Sequence, residues 1–180
     1  MRFLVIFASF LFAFTALAEE PASTKPKIVG WVETIRIQDV DMTLRAKLDT
    51  GAKTSSLDAH VLETKKNANP PKHFTDDTVV FSVMDEKNDK SRVFERDVLR
   101  YVRIKLKEGG FIRRPVVKMM FCVAGRLTEE EVNLAERDNF IYRVLIGRNM
   151  MQHAKLIIDA SRTFVTRPTC KKSTEVSLAY

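Results

Sequence analysis

Residues 43–48 alternate strictly: Leu44, Ala46 and Leu48 fall on one face, and Thr43, Arg45 and Lys47 on the other. A period of two is the mark of a half-buried strand. This run leads without a break into Asp49-Thr50-Gly51-Ala52. Asp-x-Gly is tight-turn chemistry, because the Asp side chain can accept from a backbone N–H two residues on and Gly tolerates close backbone approach. The chain must therefore present a carboxylate where a strand stops, and by itself that is compatible with an ordinary turn.

The same strand signal recurs along the sequence. Ile28 to Ile37 is rich in Val, Ile, Trp and Thr, and Asp39-Val40-Asp41 turns it into the run that ends at Asp49. Lys65 to Lys72, with two Asn and two Pro, reads as a loop. Further strands are expected at Thr78–Met84, Ser91–Arg96, Leu99–Leu106, Phe111–Val123, Phe140–Ile146, Lys155–Asp159 and Thr163–Thr166. Turns at Asp85–Lys90 and Gly109-Gly110 separate several of them. Paired hairpins at short intervals indicate an all-β fold. Two segments read otherwise. Arg148 to His153 suits a short helix, and the acidic Thr128 to Glu136, with Thr128 and Glu131 at capping-box spacing, suits a short helix or an exposed loop.

The chain's ends read differently from its middle. Arg2, the apolar stretch Phe3 to Leu17 and the Ala16-Leu17-Ala18 site make residues 1–18 a cleavable signal peptide. The stretch is shorter than the roughly 20 apolar residues that span a bilayer, and no Cys follows it, so no stable membrane anchor is expected. Residues 19–27 form a polar lead-in, 28–168 one domain and 169–180 a polar tail, frayed from Lys171 to Tyr180. Export to the periplasm follows. It argues against nucleic acid as the partner of a chain whose formal charge is +7, or +6 without Arg2. The basic residues are also interleaved with acids, so acidic peptides or an anionic envelope surface fit better. An oxidising compartment permits a disulfide between Cys122 and Cys170; the alternative is two buried thiols.

Far downstream, Val144-Leu145-Ile146-Gly147-Arg148-Asn149-Met150-Met151 answers the first motif. Leu48 to Ala52 together with Leu145 to Met151 resemble the retropepsin-like aspartic proteases. The closer likeness is to the bacterial branch often labelled "ATP-dependent zinc protease", whose first motif extends as in Lys47 to Leu57. The resemblance covers about Ile28 to Thr166. It implies a retropepsin-like (acid protease) closed barrel, with one short helix after the Ile-Gly-Arg-Asn segment.

It also implies a chemistry. Aspartic proteolysis uses two carboxylates that share a proton, one acting as base on water and the other as acid. This chain has a single Asp-Thr-Gly; Asp159-Ala160-Ser161 lacks the Gly. If Asp49 is catalytic, its partner is Asp49 of a second subunit across a two-fold axis, and the enzyme is a homodimer. Thr50, Gly51 and Ala52, with Ile146, Gly147, Arg148 and Asn149, would support the active loop, and Thr50 would bond across the two-fold. The chain ends, Thr163 to Thr166 and the Ile28 region, would help form the interface.

One position departs from the viral pattern. Where retroviral members carry an acid that pairs with the Arg of the Gly-Arg segment, this chain has Lys53. Arg148 must then find Asp138 or a backbone carbonyl, and Lys53 reads either as a selector of acidic peptides or as a solvated turn residue. Arg114, in a segment typical of the bacterial branch, is a second substrate-binding candidate. The hairpin turning at Gly109-Gly110 is either a flap over substrate or a plain surface hairpin.

The zinc label finds no ligand pattern. His60, His73 and His153 are scattered, with no H-E-x-x-H, and no Gly-rich loop would hold ATP. The reading is therefore a cofactor-free periplasmic aspartic endopeptidase. Its rivals are a non-catalytic peptide-binding module on the same fold and a zinc hydrolase.

Overall fold

The computed structural model describes residues 25–66, 77–85, 87–106, 108–136 and 141–170. Its strands are β1 (Lys27–Ile37), β2 (Met42–Leu48), β3 (Ser55–Asp58), β4 (His60–Lys65), β5 (Thr78–Asp85), β6 (Lys90–Asp97), β7 (Arg100–Lys105), β8 (Phe111–Val123), β9 (Arg126–Ala135), β10 (Val144–Ile146) and β11 (Leu156–Thr163). One short helix, α1 (Arg148–His153), follows β10. The signal-peptide, lead-in and tail assignments at 1–24 and 171–180, and most of the 65–72 loop, lie outside the described residues.

Pairing in the order β1-β2-β10-β3-β9-β8, closed by β8 against β1, makes a six-stranded barrel. The long strand β8 is shared: Phe111 to Val116 pair with β7, Val116 to Val123 with β9, and Phe121 to Val123 with β1. In β1, Lys27 to Val32 pair with β11, and Val32 to Ile37 with β2. Alternation decides what faces inward. Leu44, Ala46 and Leu48 meet Ile35, Ile37, Val117, Phe121 and Ile146 in one core. A separate sheet, β4-β5-β6, contributes Val79, Phe81 and Val83 to that core, with Phe81 stacked on Phe94 at 5.3 Å.

Of residues 128–136, read from the sequence as a helix or loop, those up to Ala135 are instead the body of β9. The acidic run conceals an alternation. Glu129 and Glu131 point outward to Lys118 (3.2 Å) and Arg100 (2.7 Å), whereas Glu130 points inward and is buried. The two short strands expected at 155–159 and 163–166 are one strand, β11, which ends at Thr163. Beyond it the chain is held by a carboxylate. Fully buried Glu33 accepts from the backbone N–H of Gly30 (2.6 Å), Val165 (3.0 Å) and Thr166 (3.0 Å), and from the Thr166 hydroxyl (2.9 Å). Four donors satisfy a charge that would otherwise be costly to bury. Among the described residues the strand expected from Phe140 is confined to Val144–Ile146.

Cys122, at the end of β8, and Cys170 are joined by a disulfide with Cα atoms 5.9 Å apart. The Cys170 carbonyl also accepts from Arg36 at 2.7 Å. The C-terminal segment is thus fixed to β1 and β8 as far as Cys170.

Tyr101 on β7 donates to the Asp77 carboxylate at 2.7 Å, at the entry to β5. Burial first, and then this hydrogen bond, push its phenol up to about 12. Between the ordinary tyrosine range near 10 and that value, the folded protein keeps a proton that the unfolded chain has lost. Stability should therefore fall as pH rises through this window. An alkaline titration of phenolate absorbance should show a late step that Tyr101→Phe removes; a late step surviving in that variant would contradict the assignment.

Candidate active site

β2 delivers Asp49 to the end of the barrel. Its N–H donates to the Ile146 carbonyl (2.9 Å), and its own carbonyl accepts from Ala52 (3.2 Å), closing a tight loop. The Gly51 N–H donates to Asp49 Oδ1 at 2.9 Å. No described residue donates to Oδ2, and the side chain is half-buried. One carboxylate oxygen is therefore fixed by the loop, and the other has no donor among the described residues.

The answering segment is clamped onto this loop. β10 pairs in parallel with β2, Ile146 beside Leu48, and antiparallel with β3. Arg148 and Asn149 donate their backbone N–H groups to Ala52 (2.9 Å) and Lys53 (3.1 Å). The Arg148 guanidinium reaches back to the Thr50 carbonyl at 2.6 Å. Of the two partners foreseen for Arg148, the backbone carbonyl is the one seen; Asp138 lies outside the described residues.

Gly147 has no alternative. A Cβ there would fall 2.5, 2.6 and 2.8 Å from the backbone C, O and N of Thr54. Any side chain would push the active loop off β10. Helix α1 then starts directly from this contact, with Met150 and Met151 buried beneath it.

Residues the sequence did not single out complete the support. The Ser55 hydroxyl accepts from the Gly147 N–H (3.1 Å), and the Ser55 carbonyl accepts from buried Asn133 (2.8 Å). Buried Asp58 takes an ion pair from Arg143, just ahead of β10. The extended motif through Leu57 contains Ser55, but nothing in its spacing reveals that the hydroxyl caps the second motif.

Thr50, Gly51 and Lys53 are exposed and Ala52 is half-exposed, with no side-chain partner for Lys53 among the described residues. Arg114 sits elsewhere. It lines a cleft of about 280 Å³ with Ala59, Val61, Pro115, Leu134 and Glu136, whose walls include none of residues 49–53 or 146–149. Asp159 is likewise engaged locally. The Ser161 hydroxyl (2.6 Å) and N–H (3.0 Å) hold its carboxyl below the ordinary range, so it stays ionised. The hairpin at Gly109-Gly110 is the outer end of the β7–β8 ladder, with both glycines at positive φ.

Among the described residues no three His, Cys, Asp or Glu side chains come together to hold a metal ion. His60 pairs with Glu136 and His153 with Glu130; His73 lies outside the described residues.

A family model described as RimB-like, "Retropepsin-like aspartic endopeptidase RimB", matches residues 28–169. The chain belongs to this family. A solved structure of a Legionella pneumophila protein of unknown function is similar to it. That likeness has a TM-score of 0.61 and 30% identity, and covers 78% of this chain and 98% of that one. Probable alpha-L-glutamate ligases of Shewanella halifaxensis and Shewanella pealeana are each 30% identical over 123 residues. That match takes in 67% of this chain and 25% of each ligase, so the chain spans about a quarter of the length of these curated relatives.

Proposed function

We propose that this RimB-like chain is an exported, homodimeric aspartic endopeptidase whose site pairs two Asp49 carboxylates. The observation that carries the reading is Asp49 itself, one oxygen held by Gly51 and the other without a donor among the described residues, in a loop braced by Gly147 and Arg148. A lone carboxylate of this kind is half of a proton-sharing pair. Water between the two carboxylates gives a proton to the ionised one as its oxygen attacks the scissile carbonyl. The protonated one donates to the carbonyl oxygen. Collapse of the tetrahedral species then breaks the C–N bond, with a proton passing to the leaving nitrogen.

A second copy has a surface to meet. Ile28, Trp31 and Phe164 are exposed on the β1–β11 end, where β11 has no further strand beside it among the described residues. Burying such a stripe favours association. The disulfide agrees with an oxidising compartment. Exposed Lys53 next to the loop favours acidic peptides, and the ligase relatives are named for glutamate chemistry.

The same relatives favour a second reading, a peptide-binding module without catalysis. Purified protein lacking residues 1–18, offered an unbiased peptide library at mildly acidic pH, separates the two. Cleavage is expected, enriched beside Asp and Glu; binding without any cleavage across the pH range favours the module.

A further inference from the structure

A cleft of about 630 Å³ lies apart from Asp49, which is not among its lining residues. It is walled by Lys25, Lys27, Arg126, His153 and Lys155, and by the Ala124-Gly125 turn, with no carboxylate among its lining residues. Buried Glu130 stands behind it, bonded to His153 Nδ1 at 2.6 Å and to the Thr128 hydroxyl at 2.9 Å. Two of the cations are fixed by the fold. Lys27 donates to the Ala124 carbonyl at 2.5 Å, and Arg126 donates to the carbonyls of Ala154 (2.7 Å) and Lys25. Lys25 and Lys155 form no side-chain ion pair or hydrogen bond among the described residues, and both are exposed. Lys155 is presented by a left-handed backbone (φ +48°), held by bonds from its N–H to Gln152 (3.0 Å) and from Lys27 N–H to its carbonyl (2.9 Å).

This cleft is linked to the Asp49 loop only through shared lining residues. A second, more apolar cleft of about 350 Å³ shares Pro26 and Lys155 with it and is lined further by Met151, Leu156 and Arg148. Arg148 is the residue whose guanidinium holds the Thr50 carbonyl. Lining residues thus connect the contact that braces the Asp49 loop, by way of an apolar cleft, to the ammonium groups.

We propose that the cleft around Lys25 and Lys155 is an anion-binding exosite, which holds carboxylate side chains of an acidic peptide whose reacting bond lies at Asp49. The proposal rests on the endopeptidase reading for what happens at Asp49, but not for binding. Two of its cations, Lys27 and Arg126, are preorganised by backbone carbonyls, and Lys25 and Lys155 add exposed ammonium groups at its mouth. Like-signed walls of a cleft also focus the field and draw anions in.

The test uses fluorescence anisotropy with the Asp49→Asn protein, so that cleavage does not enter. The probes are a fluorescein-labelled dodecapeptide alternating Glu and Ala and its counterpart with Gln for Glu. The Glu peptide should bind more tightly and weaken with added salt. Lys25→Glu with Lys155→Glu should weaken the Glu peptide about tenfold and leave the Gln peptide unchanged. The single variants Lys25→Gln and Lys155→Gln should each give a smaller loss. Equal binding of the Glu peptide to the parent and the double variant would overturn the exosite, as would an equal loss for both peptides. Should the Glu peptide bind as described while wild-type protein cleaves nothing, the exosite stands and the endopeptidase reading falls.

Discussion

Asp49→Asn should abolish peptide hydrolysis, by on the order of 10⁴-fold or more, while the protein remains folded. In a two-fold dimer one substitution removes both carboxylates, so neither the base nor the acid survives. The fold should be spared because the Asn side-chain oxygen can still accept from Gly51 N–H, the one bond that Asp49 Oδ1 makes. Asp49→Ala is a poorer test, since it deletes that acceptor and loosens the turn against Gly147 and Ala52. Circular dichroism and thermal unfolding should therefore match wild type for Asp49→Asn, whereas turnover should not. Wild-type turnover in the Asn variant would remove the aspartic mechanism.

The second large effect is on stability. Cys122 and Cys170 are 48 residues apart, and closing a loop of that size restrains the unfolded chain by about 4 kcal/mol in the loop-entropy model. The bond also carries structure that the model does not count. It holds the segment whose backbone N–H groups satisfy buried Glu33, and it places the Cys170 carbonyl against Arg36. Releasing that segment would leave a buried carboxylate short of donors. Reduction, or Cys170→Ser, should lower the denaturant midpoint strongly and steepen the slope, because the freed unfolded chain exposes more surface. Cys122→Ser should do the same, and combining the two should add almost nothing, because each already breaks the one bond. A reduced protein with an unchanged midpoint would show that the staple is idle.

How much of this was legible beforehand depends on what each segment hides. Phe111–Val123 and Arg148–His153 were readable to the residue, the first from its apolar run after Gly109-Gly110, the second from its place after Ile-Gly. β9 was not. Glu129, Glu130 and Glu131 are chemically alike, so the inward turn of Glu130 leaves no mark on the alternation, and its partner His153 lies on a distant helix. β3 also escaped notice, because Ser55, Ser56, Leu57 and Asp58 are all buried and give no polar face to read. The Asp49 loop was visible because turn chemistry is local. The contacts that brace it, from Ser55 to Gly147 and from Arg148 to Thr50, join residues more than ninety positions apart and follow only from the barrel.

The central claim is that one active site is made from two copies of Asp49. It is tested most directly by mixing wild-type and Asp49→Asn protein in varied ratio at constant total concentration, after unfolding and refolding together. Random pairing makes the wild-type homodimer fraction the square of the wild-type fraction, so an equal mixture should keep about one quarter of the starting activity. Activity following the square would establish the shared site. Activity falling in direct proportion, to about one half in the equal mixture, would mean that each chain works alone and would contradict it.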